Sequence, residues 1–441
     1  MFQRHFQEGL LARRSLVPLA GLLLLLLAVW AATSVSFSWT PMPDAELRIE
    51  ARRQAIAEAQ KGASSTVDYR RLDSRFQQLA ADNAVVGLAV GIVENGEITF
   101  LKGYGETVAG SGDPVTPETV FRWASVSKGA AGVMVAKLAH EGKLSLSDPI
   151  ARYSASLRLP GGLEQQATVA DVLAHTLGIF GHANDSKLED GVDPRLLRGE
   201  LAMLNQICPL GQCHSYQNVA YDAASEVVER ATGTSYQEAL RERLFLPLGM
   251  TSATVTREGL MSAPSWARPH RGGKNSKPVE VTQPYYSVPA AGGVNSSIKD
   301  LAVWMQAQMG LDPAILPQDV LTAAQMPRVS TPGERRRMRD FSERLKAASY
   351  GLGWRIYDYA GHRIIAHRGG VTGYRSLIMF DPVKKSGVVA LWNSSTNKPG
   401  GLEFEVMDMI YQLPARDWLE LGDGMPVEDK EAEPVTDAGS D

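Results

Sequence analysis

Asn95-Gly96 is the residue pair that most restricts the architecture. It joins two β-type runs, residues 85–93 and 97–101. It is the best short hairpin signal in the chain, because the tight turns that match strand twist favour such a pair. Part of the fold is therefore antiparallel sheet. From Thr116 the pattern turns helical, and elements of mixed type continue to about Leu413 without an internal repeat. Sheet and helix are expected together. The 441 residues, 44% hydrophobic and 21% charged, are ordinary globular composition, enough for one large contiguous core or for two or three domains. A net charge of -4 offers no electrostatic case for nucleic acid as a partner.

The first 43 residues read as a targeting segment. Arg4, Arg13 and Arg14 precede residues 16–32, a stretch of seventeen without a charge that includes six consecutive leucines. Such a stretch lies at the short end of a spanning helix, and the arginines in front predict a cytoplasmic amino terminus with the rest outside. The residues around Val29-Trp30-Ala31 are bulky for a cleavage site, which favours an uncleaved membrane anchor over a signal peptide. Arg13-Arg14 is also a weak twin-arginine match, for which a chance pairing is the simpler reading. The expected location is the periplasmic face of the inner membrane, or the periplasm itself. Cys208 and Cys213, the only cysteines, enclose Pro-Leu-Gly-Gln. In an oxidising compartment this close pair is a candidate disulfide, the alternative being two free thiols. Residues 44–66 read as a helical spacer, and 420–441 as an acidic disordered tail. The basic segment 333–339, with Arg335, Arg336, Arg337 and Arg339, reads as a solvated loop; contact with anionic lipid or cell-wall polymer is its alternative.

The stretch FRWASVSK, residues 121–128, places Ser125 and Lys128 three apart ahead of a small, apolar helical run. On one helix these positions share a face, so the lysine amine can meet the serine hydroxyl. A serine is a poor nucleophile until something removes its proton. A lysine does so only when burial or a neighbouring cation lowers its pKa, and Ala124, Val126, Ala130, Ala131, Val133 and Met134 provide an apolar setting for that. Serine and lysine at this spacing also occur by chance in most chains of this length.

A wider resemblance gives the motif weight. FRWASVSK, followed by EGKLSLSDP at 141–149, resembles the nucleophile segment of the class C β-lactamase family, which also contains penicillin-binding DD-peptidases, D-aminopeptidases and esterases. DVLAHTLG at 171–178 resembles the family's LLxHTSG segment, with Leu177 where serine is usual. PLGMT at 247–251, AAGGVNSSIKD at 290–300 and YGLGW at 350–354 follow in the family's order. The resemblance covers roughly residues 67–415. It implies an α/β fold of the β-lactamase/transpeptidase type, a mainly antiparallel sheet flanked by helices, with an all-helical subdomain over about 148–289 and the site at the junction.

The same resemblance identifies Tyr216-Gln217-Asn218 as the family's Tyr-x-Asn element. A phenol near a lysine ammonium can shuttle the serine proton, and an asparagine amide can hold both the lysine and the substrate. A Cys208–Cys213 bond would staple the loop in front of it. The third element departs from the β-lactamases. Where they carry Lys-Thr-Gly, this chain has His367-Arg368-Gly369, followed by Gly370, a pattern similar to the esterase and D-aminopeptidase branches. His367 would be a weaker, pH-dependent cation lining the site. Gly369 and Gly370 would let substrate lie against the strand, and the N–H groups of Ser125 and Gly370 would form the oxyanion hole. Side chains alternate along a strand, so Arg368 either forms an outward salt bridge or curls over the rim to bind a carboxylate, as Arg375 also could. Asn393, and more weakly Asn397, are candidate substrate contacts.

His175 reads as a satisfied buried donor. The polar loop with His182, Asp185, Glu189 and Asp190 lacks the i, i+4 spacing of a zinc helix, so no metal is expected, and acyl transfer of this kind requires no cofactor. The expected function is exported serine acyl-hydrolysis of a small-molecule or peptide substrate through its amide or ester carbonyl, with β-lactams narrowly preferred. D-amino-acid peptides and esters are the alternatives. A penicillin-binding sensor that acylates without turnover is the alternative of another class.

Overall fold

The computed structural model describes residues 65–422, which belong to one compact unit. The leader and nearly all of the spacer and of the acidic tail lie outside the described residues. The expectation of a membrane partner is corrected: among the described residues no helix is long and apolar enough to cross a membrane. Membrane attachment is not retained.

Strands β1 (Gly87–Glu94) and β2 (Glu97–Gly105) form the hairpin expected at Asn95-Gly96. Both turn residues have positive φ, 53° and 90°, the geometry that matches the twist of the flanking strands. β3 (Val120–Arg122) pairs with β4 (Asn295–Ser297) in a separate two-stranded ribbon. The remaining strands are β5 (Val329–Ser330), β6 (Leu345–Tyr350), β7 (Arg355–Tyr359), β8 (His362–Val371), β9 (Tyr374–Asp381) and β10 (Ser386–Trp392). The large sheet has eight strands in the order β2-β1-β10-β9-β8-β7-β6-β5, and every pairing is antiparallel.

Helices cover both faces of this sheet, which explains why GLAVGIV in β1 and GVVALW in β10 read as continuous apolar runs rather than alternating ones. Helices α1 (Tyr69–Ala81) and, at the other end of the chain, residues Leu402–Tyr411 pack on one face. There Phe76 and Leu79 meet Leu88, Val90 and Ile92 of β1, and Phe404 meets Val388 and Ala390 of β10 within one core. The alternate residues, Ala89 of β1 with Val389 and Leu391 of β10, enter the second core on the opposite face. That core also holds helix α2 (Ser127–His140), and helix α3 (Ile298–Gln308) lies across β1 and β10. Each fully buried Leu, Val or Phe adds about 1.5–3 kcal/mol. Between Arg122 and Asn295 the described chain has helices, turns and isolated bridges but no strand.

Candidate active site

The turn before α2 is strained where the chemistry would need it. Ala124 has φ 47°, a left-handed conformation that costs a non-glycine residue energy and that tertiary packing must enforce. Ser125 follows in a three-residue 3-10 turn, Ala124–Val126, and Lys128 is the second residue of α2 rather than a partner on the same regular helix. The turn is fixed on two sides. Trp123 donates from its backbone to Val294 O and from its indole to Ser296 Oγ, while Ser376 Oγ of β9 donates to Trp123 O. Gly369 of β8 lies so close that a Cβ there would be 2.9 Å from Ser125 N.

Lys128 is fully buried. Its ammonium donates to Asn218 Oδ1 at 2.7 Å and to Ala291 O at 2.9 Å, and Nζ stands 3.5 Å from Ser125 Oγ. Burial pushes the amine down to about 7, with Asp185 opposing and Arg355 reinforcing the shift. A sizeable fraction is thus a neutral amine near pH 7, a proton acceptor beside a serine hydroxyl. The acceptor Ala291 O is set by the 290–300 segment, whose Ala290 N donates to Asp222 Oδ1.

Tyr216 forms part of the same wall, with Lys128 Nζ over its ring at 4.7 Å from the centroid. Burial pushes its phenol up to about 12, partly offset by a hydrogen bond with Ser125 and by the charge of Arg355. The phenol stays protonated at neutral pH and is equipped to donate a proton. Asn218 turns its amide NH₂ to Asp185 Oδ2 at 2.7 Å, the same oxygen that His182 Nδ1 approaches at 2.8 Å. Asp185 therefore fixes the amide so that Oδ1 faces the lysine. In the sequence Asp185 was one member of a polar loop without metal-ligand spacing; its placement against Asn218, 33 residues away, had no local signal.

Cys208 and Cys213 are disulfide-bonded. Their loop docks on the His175–Gly178 segment through Ile207 N to Gly178 O, Gly211 N to Thr176 O and Ser215 N to His175 O. Reduction is expected to lower stability by about 2 kcal/mol, the loop-closure value for so small a ring. Thermal unfolding with and without dithiothreitol checks this; an unchanged Tm would mean that the backbone bonds alone hold the loop.

Three of the residues expected at the site are placed elsewhere. His367 is buried behind Tyr350: its Nδ1 faces Arg368 O at 2.8 Å and must carry the hydrogen, leaving Nε2 to accept from Tyr350 Oη at 2.9 Å. Burial, Arg355 and Lys128 push the imidazole well down, so it is neutral, not a cation. Arg368 lies on the other face of β8, where Nε donates to Glu403 Oε1 at 2.7 Å and the guanidinium stacks near Phe341 and Phe404. Period-two alternation drives it there, away from Ser125. Asn393 is fully buried and donates to Thr107 O and Arg268 O, tying two loops together. Gly370, by contrast, is exposed and lines one hollow with Ser125.

That hollow, about 350 Å³, is also walled by Tyr216, Asn218, Asp185, Glu189 and Tyr285. Past Gly370 and Val371 it runs into a second of about 520 Å³ that contains Arg271 and Arg375. Among the described residues no group of three or more His, Cys, Asp or Glu is arranged to hold a metal ion.

The family model described as beta-lactamase matches residues 72–408, most of the chain. The chain belongs to the beta-lactamase family. This family member is 29% identical over 334 residues to penicillin-binding protein 4 of Amycolatopsis lactamdurans, covering 73% of this chain and 84% of that protein. It is 27% identical over 404 residues to an unguisins hydrolase of Aspergillus violaceofuscus, 81% of this chain and 68% of that one. Among solved structures, the octameric penicillin-binding protein homologue from Pyrococcus abyssi superposes with a TM-score of 0.69 at 25% identity, over 79% of this chain and 78% of that chain. The beta-lactamase family fold and membership in a superfamily of serine hydrolases are thus established.

Proposed function

We propose that the chain is a serine acyl-hydrolase that opens the amide bond of a β-lactam through an acyl-Ser125 intermediate. The observation that carries this reading is Lys128, buried, held by Asn218 and Ala291, and adjacent to Ser125 Oγ with its pKa near neutrality. Neutral Lys128 takes the hydroxyl proton as Oγ attacks the carbonyl carbon. The oxyanion is met by the N–H groups of Ser125 and Gly370. As the C–N bond breaks, Tyr216 gives its proton to the departing nitrogen and recovers one from the Lys128 ammonium. Water then attacks the ester, and the acid product leaves. The hollow with Arg271 and Arg375 suits the ring carboxylate, in place of the cation that His367 does not supply. The disulfide supports an exported, oxidising location.

A second reading, hydrolysis of D-amino-acid peptides, is favoured by Asp185 and Glu189 on the opposite wall, which suit a substrate amine. The test is turnover of a chromogenic cephalosporin, a carbapenem, a p-nitrophenyl ester and a D-alanyl-D-alanine peptide, with mass mapping of the acylated peptide. Cephalosporin turnover through an adduct on Ser125 is the expected result. Ester or peptide turnover alone moves the protein to the second branch, an adduct lasting minutes makes it a sensor, and an adduct on another residue overturns the mechanism.

A further inference from the structure

Tyr216 is a party wall. On one side is the hollow of Ser125; on the other a larger hollow, about 860 Å³, is closed by the disulfide loop and by residues 330–337. Its charged lining holds three arginines, Arg336, Arg337 and Arg355, against one acid, Glu334. Arg355 is largely buried with its guanidinium 2.8 Å from Glu334 and 5.8 Å from the Tyr216 ring centroid. Arg337 approaches the same carboxylate at 3.6 Å, so one acid is shared by two guanidinium groups. Arg336 lines the hollow with no carboxylate within ion-pair distance among the described residues. His214, also in the lining, is pushed down to about 4, first by burial and then by the charges of Arg355 and Arg337, so it adds no charge at neutral pH. Asp185, just beyond His182, has one carboxylate oxygen already occupied by that imidazole and by Asn218.

We infer that this second hollow is an anion-binding subsite that takes a carboxylate-bearing extension of the substrate, such as an acidic peptide segment. The inference rests on the reading of Ser125 as the reacting centre: His182 and Tyr216 line both hollows, which sets the second directly beside the first. Arginine presents a planar fork that matches carboxylates, and a hollow of this size accommodates a ligand of several heavy groups. The basic segment, expected from the sequence as a solvated loop, is a short helix, Pro332–Arg337, at the mouth, where Arg337 has the Glu334 carboxylate only in common with Arg355 and Arg336 has no ion-pair partner among the described residues.

The experiment uses the full chain carrying Ser125→Ala and measures binding of tri-glutamate and tri-alanine by calorimetry, so it does not depend on turnover. Tri-glutamate is expected to bind at least about tenfold tighter than tri-alanine, with the preference weakened by salt. Arg336→Gln with Arg337→Gln is expected to remove that preference, and Arg336→Lys with Arg337→Lys to keep most of it. Both positions are exposed, so the variants fold. In the active protein, the glutamine pair is expected to raise KM about tenfold for a glutamyl-extended substrate and to leave kcat and the unextended substrate unchanged. Equal binding of the two peptides, equal binding to the two variants, or an unchanged KM overturns the subsite. Failure of the Ser125 mechanism shows instead as absent turnover in the unaltered chain.

Discussion

Replacing Lys128 by methionine is expected to slow acylation of Ser125 by roughly 10²- to 10⁴-fold, the range a positioned general base contributes. Methionine retains the volume and apolar stem but offers no proton acceptor, while Asn218 and Tyr216 stay in place. In the unaltered chain the rate should fall as pH drops below about 7, because protonation of the amine removes the base. The same substitution has a stability signature of defined sign. Lys128 titrates near 7 when folded and near 10.5 when unfolded, so between these values the unfolded chain holds the extra proton and stability rises with pH. Below about 7 the full penalty of burying the ammonium is present. Any advantage of Lys128→Met over the unaltered chain must therefore shrink from pH 6 to pH 9, by roughly 2 to 3 kcal/mol. The two acceptors it abandons, Asn218 Oδ1 and Ala291 O, shift both values together and leave that difference intact. Denaturant unfolding at the two pH values, beside a stopped-flow acylation assay, measures both. A difference of opposite sign, or unimpaired acylation, would remove Lys128 from its role.

What could be read in advance follows from how locally each feature is encoded. Asn95-Gly96 specified its hairpin because the turn needs only those two backbones. Ser125, Lys128, Tyr216 and Asn218 were singled out because the segments that carry them resemble the family's motifs, the spacing alone being common by chance, and the structure brings the four together. The side on which a strand residue lands is a different matter. Arg368 could face either way until Glu403, 35 residues on, proved to be its partner. His367 looked like a site cation because the family carries one at that position. Burial, with the charges of Arg355 and Lys128, keeps it neutral, and Tyr350, from a strand two places away in the sheet, takes up its Nε2. The strain at Ala124 and the bond between Asp185 and Asn218 are products of packing between distant segments, and no window of sequence contains them.

Gly369→Ala should reveal how closely the sheet is built against the nucleophile. A Cβ at this position would lie 2.3 Å from Trp123 O, 2.3 Å from Ser376 Oγ and 2.9 Å from Ser125 N. Two of these are backbone atoms of the strained turn, and the third is the hydroxyl that holds that turn by donating to Trp123 O. None is the free end of a flexible side chain. Either β8 retreats or the turn at Ala124 and Ser125 moves, and each outcome separates the N–H groups of Ser125 and Gly370. Misplacing one oxyanion donor costs about 10²- to 10³-fold in rate, so acylation is expected to fall by at least about 10²-fold, with about 1–3 kcal/mol of overpacking cost in stability. Gly199→Ala provides the control. Gly199 lies in the helix Pro194–Glu200, where a Cβ meets nothing nearer than 4.0 Å, so this exchange should stabilise by about 0.5–1 kcal/mol and leave acylation alone. If Gly369→Ala acylates like the unaltered chain, β8 is not the second wall of an oxyanion hole. If it loses acylation while keeping most of its stability, the missing Cβ is explained by chemistry at Ser125 and not by the fold.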